Sequence, residues 1–366
     1  MPIKQNWLSK AFNLPILQKE RMQWVDYLRG IAIVLVVYRH ILIGIERSGI
    51  IIPPYLTDAN MIFYSFRMPL FFILAGIFIN SSLKKRTIKQ FAFVKFEHLL
   101  YPYLVWSFLQ ITIQIIFSNL TNSDRGIEDY TYIFYQPRNL DQFWYLPALF
   151  NTTMIYSLIK IKFRAGIKIQ IALGIILYFL SSYMWGISML SDWMEFYIFF
   201  ALGNAISNFF FVESTQRFLQ KPVLFVFIIP VFVLTQLYYL QQPESYYLQQ
   251  LQGKVIFLAI ALAGCLCMLI LSFRLQRITA FSFLRVLGYH SLYIYVMHVF
   301  VAALIRIVLT NLLGIHNPPI LLFWGIVFGV TVPVVFYNFF IKEKLLWFLF
   351  SLKKYNLNSQ QKEYKR

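Results

Sequence analysis

Long apolar runs alternate with short polar connectors along almost the whole chain, and the runs share one length class. A helix needs about 20 mostly apolar residues to cross a bilayer, and about ten stretches qualify, at 28–45, 61–79, 99–117, 143–161, 169–187, 194–212, 223–240, 255–273, 287–309 and 320–341. The pattern predicts an all-α integral membrane protein of about ten transmembrane helices. No internal repeat or low-complexity linker interrupts it. One membrane domain is therefore expected over residues 21–342, between an N-terminal segment, 1–20, and a basic tail, 343–366.

Composition agrees with this reading: 59% of residues are hydrophobic and 13% charged, too apolar for a soluble domain of this length to cover itself with polar surface. The net charge of +18 does not point to nucleic acid, because the basic residues lie in short loops between apolar runs and not on one folded face. They alternate. Lys84, Lys85, Arg86, Lys89 and Lys95 follow the second run, Lys160, Lys162, Arg164 and Lys168 the fourth, Arg217 and Lys221 the sixth, and Arg274, Arg277 and Arg285 the eighth. Residues 118–142 instead carry Asp124, Glu128, Asp129 and Asp141 against Arg125 and Arg138, and residues 241–253 have no Lys or Arg. The positive-inside rule then puts both termini in the cytoplasm of a multi-pass cell (inner) membrane protein, with membrane lipid as its solvent. Cys265 and Cys267 lie in one apolar run and read as packing residues, and nothing before residue 21 resembles a cleavable signal.

Ionisable residues at membrane depth are functional candidates by default. In the first run Asp26, Arg29 and His40 share a helix face: Arg29 and His40 fall about 20° apart, with Asp26 within about 60° of Arg29. His40 lies about 16 Å along the axis from Arg29, near mid-membrane. Arg39 and Glu46 fall on the opposite face and read as a structural pair or an interface contact, with Glu46 also a candidate for lining a substrate opening. In the second run Arg67, beside Pro69, reaches a depth close to that of His40. The ninth supplies Gly288, Ser291, Tyr295 and His298 within an arc of about 80°. Residues 84–95 mix Lys and Arg with Ile88, Phe91, Phe93 and Val94, which suits an amphipathic helix that contacts anionic lipid or cradles an anionic cofactor. No HExxH or cysteine cluster accompanies the histidines, so no metal is expected. GxSxG, P-loop and Rossmann motifs do not occur either.

Five segments, in order, resemble the acyltransferase-3 family of membrane proteins. They are Trp24-Val25-Asp26-Tyr27-Leu28-Arg29-Gly30-Ile31 with His40; Phe66-Arg67-Met68-Pro69-Leu70-Phe71-Phe72 with Gly76; Tyr101-Pro102-Tyr103-Leu104-Val105-Trp106; Phe143-Trp144-Tyr145-Leu146; and Leu287-Gly288-Tyr289-His290-Ser291-Leu292-Tyr293-Ile294-Tyr295 with His298. The flavour is similar to the sugar O-acetyltransferase branch, such as fucose 4-O-acetyltransferases and enterobacterial common antigen acetyltransferases. The resemblance implies a ten-helix core, acyl-CoA as donor and His40 as the essential catalytic residue; the sugar O-acetyltransferase branch makes the donor acetyl-CoA and the acceptor a glycan or lipid-linked sugar. That branch often carries histidine where this chain has Arg67, and many members carry arginines where it reads Lys95-Phe96-Glu97-His98.

On this reading His40 serves as general base, or as a transient acyl carrier, with Arg67 or Arg29 stabilising the oxyanion. Arg29, Arg86, Lys89 and Lys95 would hold the CoA phosphates. Asp26, Glu46, Trp144, Ser291, Tyr295 and His298 would support the substrate. A polytopic exporter of a polysaccharide or small molecule is the alternative, although transporters usually show an internal repeat. The charge alternation carries its own test. A cysteine introduced at Gln242 should react with an impermeant thiol reagent from outside and one at Ser81 should not; the reverse labelling would overturn the orientation.

Overall fold

The computed structural model describes residues 7–18, 22–118, 125–342 and 344–353, and their regular structure is helical throughout. Residues 1–6 and 19–21, residues 119–124 with Asp124, residue 343 and the tail from 354 lie outside the described residues. Numbered along the chain, the long helices are α1 Gln23–Arg47, α2 Pro54–Lys84, α3 Ile88–Ile116, α4 Tyr145–Lys162, α5 Ile167–Met184, α6 Ser188–Ala205, α7 Val223–Leu240, α8 Leu251–Ile278, α9 Ser291–Leu312 and α10 Pro318–Ile341.

Eight of these are long and apolar enough to cross a membrane; α4 and α6 are not among them. About ten long helices are expected and ten are present among the described residues; the two that fall short of that apolarity do so because they are enclosed. Helix α6 packs against α2, α4 and α5, and most of its side chains are buried, Asp192 and Glu195 included. A helix walled off from lipid by its neighbours has no need to be apolar. Helix α4 follows the same logic, burying Thr152, Thr153 and Ser157 and ending in Lys160 and Lys162.

Helix α1 is the hub. It touches α2, α8, α9, α10 and a short helix, Phe283–Tyr289, that precedes α9. Glycine makes the last contact possible. A Cβ on Gly30 would run into the carbonyl oxygen of Leu284, and one on Gly288 into that of Asp26, so the two backbones meet directly. A second such crossing joins α2 to α6, where Gly76 faces the Phe200 carbonyl and Gly203 the Ile73 carbonyl. The ninth apolar run is thereby split at His290: Gly288 belongs to the short helix and Ser291 begins α9, so they do not share one continuous helix face.

Residues 84–95 are partly helical as expected. Thr87 and Gln90 form a capping box, the helix Ile88–Lys95 buries Phe91, and it runs on into the rest of α3. A π-turn at Phe96–Leu100 marks the join, with the Tyr101 amide donating to the Phe96 carbonyl. Pro102 follows, and a proline there has no N–H to give the previous turn, which widens it. Helix α2, by contrast, passes through Pro69 without a break between Tyr64 and Ile77.

Because Gly30 and Gly288 face backbone and not a side chain that can move aside, Gly30→Ala or Gly288→Ala should each destabilise the detergent-solubilised protein by about 1–3 kcal/mol. Gly186→Ala, where a Cβ meets nothing within 4 Å, should change stability by under about 0.5 kcal/mol. Thermal melts of the three variants decide this; equal melting points would remove the backbone contact from the account.

Candidate active site

His40 sits in the last third of α1, and its ring lies against that of His298 on α9, with centroids 5.2 Å apart and planes at 62°. His298 is fully buried. Its Nδ1 lies 3.0 Å from the Ile294 carbonyl oxygen and 2.8 Å from that of Tyr295, so Nδ1 carries the proton and donates. Nε2 is then a lone-pair acceptor, buried and without a hydrogen-bond partner among the described residues. An unsatisfied buried acceptor costs about 1–3 kcal/mol. It is poised for a donor on His40 or on a substrate.

Two cavities meet at His40. One, of about 210 Å³, is polar: it holds Arg39, His40, Tyr64, Arg67, Trp144 and Glu195 among its walls. Arg67 is 2% exposed, and its Nη1 donates to the Leu35 carbonyl at 3.1 Å and to Asn60 Oδ1 at 3.3 Å. The Tyr64 ring neighbours two cations, with the Arg39 guanidinium 5.0 Å and that of Arg67 5.9 Å from its centroid. Both arginines thus face one small space beside an imidazole.

The outer wall of that space is the loop before α4. Arg138 stands 4.6 Å over the Trp144 ring and 5.3 Å over that of Trp185, and its Nε donates to Asp192 at 2.6 Å with Glu195 at 3.6 Å. Burial opposes its charge, but the two carboxylates outweigh burial and raise its pKa above the ordinary arginine value. The loop backbone is tied down as well, the Arg138 amide donating to Ser188 Oγ at 3.1 Å. Asp141 adopts φ +57°, an unfavourable conformation for a residue with a side chain, and is held there by Arg47 at 2.7 Å and Arg125 at 3.8 Å.

The other cavity, about 380 Å³, is almost wholly apolar and lies between α1, α3 and α9. It shares His40, Ile43, Arg47 and Asp141 with the polar one. Three cations gather toward the opposite end of α1, where Arg86 and Arg29 both act electrostatically on Lys95.

Of the residues singled out in the sequence, His40, Arg67, Trp144, Tyr295 and His298 converge at the cavities. Arg29, Arg86 and Lys95 form the separate basic group, whereas Lys89 is exposed. Arg29 therefore does not share the cavity with His40. Asp26 is buried beside the short helix, and Ser291, at the start of α9, lines neither cavity. Glu46 is corrected outright: it is exposed and lines neither cavity, while its neighbour Arg47 lines both. Arg39 is corrected with it, standing in the polar cavity and stacked on Tyr64. Sequence reasoning passed over Arg138, Asp192 and Glu195. The two carboxylates, three positions apart beside an apolar run, were the signal available.

A family model described as an acyltransferase domain matches residues 22–338. No curated protein and no solved structure matches the chain. The matched segment takes in both histidines, the polar and apolar cavities and the basic group, and by it the chain belongs to the acyltransferase-3 family of membrane acyltransferases.

Proposed function

We propose that this acyltransferase moves an acetyl group from acetyl-CoA to a hydroxyl of a cell-surface or lipid-linked glycan sugar. The observation that carries the proposal is His40, an imidazole paired with a second imidazole and a buried arginine where two cavities meet. The acceptor hydroxyl gives its proton to neutral His40 as its oxygen attacks the thioester carbonyl carbon. Arg67, in the same cavity, faces the charge that develops on the carbonyl oxygen. The C–S bond then breaks, and His40 returns the proton to the departing CoA thiolate. His298 Nε2 is the positioning acceptor that orients the His40 ring.

Supporting the sugar reading, the polar cavity offers the Trp144 and Tyr64 rings beside Glu195, Arg39 and Gln142, an apolar platform ringed by hydrogen-bonding groups. Its 210 Å³ is below the roughly 300–1,000 Å³ of sites for drug-sized ligands, which suits one sugar ring. The donor's phosphates fit the Arg29, Arg86 and Lys95 group. From there the rise along α1 to His40 is about 16 Å, a span for the extended pantetheine arm. A family of acyltransferases, with a base beside a cation, favours group transfer over the exporter alternative.

His40→Gln keeps one hydrogen-bonding end but takes no proton near neutral pH. It should accumulate normally in membranes and lose at least ~100-fold in radiolabelled acetyl incorporation into glycan. His298→Gln should lose less. Near-normal transfer by the His40 variant would refute the assignment. Replacing Arg86 and Lys95 together with Gln should raise KM for acetyl-CoA about tenfold or more, with kcat within about threefold, since phosphate contacts are equal in ground and transition states. Lys89→Gln should leave KM unchanged; a larger effect there than at Arg86 and Lys95 would relocate the CoA site.

A further inference from the structure

The apolar cavity asks for an occupant. Ile41, Ile113, Val299, Phe300 and Ala303 wall it. Its volume of about 380 Å³ is more than twice the roughly 150 Å³ of an apolar protein cavity that takes up benzene. The methyl of an acetyl group would leave most of it empty.

Two observations tell which substrate it serves. First, a transfer site must hold an acyl carbon and an alcohol on two sides of one base, and His40 borders a polar and an apolar space at once. The polar space suits a hydroxylated acceptor, which leaves the apolar one for the donor. Second, the basic group and the apolar cavity share helices. Arg29 and Lys95 stand on α1 and α3, and the cavity is walled by α1, α3 and α9 beyond His40. A thioester arriving from the basic group along α1 therefore points its acyl chain past His40 into this cavity. Leu304, 63% exposed, and Phe117, 50% exposed, form its far side, so a longer chain emerges toward lipid and meets no wall.

We infer that the apolar cavity is an acyl-chain site, and that the protein transfers medium-length straight acyl groups from acyl-CoA as well as acetyl. The inference rests on the acyl-CoA reading given above. The chemistry is unchanged: the acceptor O–C bond forms, the thioester C–S bond breaks, and the proton passes from hydroxyl through His40 to CoA thiol. Each methylene buried in an apolar site contributes about fourfold in affinity. Hexanoyl-CoA, with four more methylenes than acetyl-CoA, should gain tenfold or more.

Gly44 gives a clean way to fill the space, because a Cβ there meets nothing within 4 Å and the residue lines the cavity. Ala303 provides a second site should the first variant fold poorly. Binding of acetyl-, butyryl- and hexanoyl-CoA to the purified full-length protein in nanodiscs is measured by calorimetry, alongside labelled acyl transfer to glycan in membranes. In the parent protein Kd should fall along the series, and hexanoyl transfer should be seen. Gly44→Leu or Ala303→Leu should bring hexanoyl-CoA back to within about threefold of acetyl-CoA. Acetyl transfer with no gain along the series overturns this inference and leaves the acetyltransferase reading standing. Binding of no CoA thioester sinks both. Donor binding that keeps its chain-length gain in both variants, while transfer to glycan is lost, assigns the cavity to a lipid tail on the acceptor and overturns the inference as well.

Discussion

The contact between Gly30 and Gly288 sets the register of everything that follows it. Two backbones touch there because neither residue has a Cβ. Helix α1 continues from Gly30 and α9 follows from the short helix through His290, and both reach the shared cavity walls at Arg47 and Arg306. They run in the same direction. His40 lies ten residues beyond Gly30, a rise of about 15 Å along α1, and His298 ten beyond Gly288 by way of the break at His290; the two imidazoles come to one level. Their rings meet at 5.2 Å. A side chain at either glycine would force the helices apart or shift one along the other, and the facing pair would be lost with it.

Enclosure completes what register begins. Ionised side chains at hydrocarbon depth persist only where protein or trapped water replaces lipid around them. With α2, α8, α9, α10 and the short helix packed about it, α1 has little bare lipid-facing surface, and Arg39 and His40 both face the polar cavity while His40 also borders the apolar one. Helix α6 extends the wall and brings Asp192 and Glu195 to meet Arg138. That ion pair holds the loop before α4 over the polar cavity, with Trp144 as its inner surface.

Much of this was legible in the sequence because hydrocarbon thickness imposes a length and helix geometry a period. The spans, the shared depth of His40, Arg67 and His298, and the basic residues before α3 all follow from those two rules. What was not legible depends on neighbours. Arg39 and Glu46 were sorted by helix face alone, on the premise that α1 has one inward side; encircled as it is, the helix presents Arg39 to a cavity while Glu46, in its last turn, passes beyond the packed part. Asp192 lies outside the apolar run, which starts at Met194, whereas the helix itself begins at Ser188. The loop carrying Arg138 read as a topology signal, since its partners lie some fifty residues on.

The pairing of a dry cavity with a wet one around His40 also bears on how transfer would outrun hydrolysis. A base able to activate a sugar hydroxyl can activate water as well, and an acyl thioester open to bulk water would be spent without product. On the α1, α3 and α9 side of His40 the walls are mostly hydrocarbon; of the polar groups among them, Gln110 accepts from Gln142 at 2.9 Å, Arg47 is paired with Asp141 and Arg306 donates to the Gly44 carbonyl at 2.9 Å, and Gln114 also lines the space. An acyl chain that fills this space would, on the proposed reading, exclude water from that side of the base. On the same reading the polar cavity is the side from which the acceptor hydroxyl reaches the base, and its 210 Å³ is small enough for a bound sugar to displace most of the water in it. If the acceptor is the sugar proposed above, dividing one base between two dissimilar spaces favours its hydroxyl over water as the nucleophile.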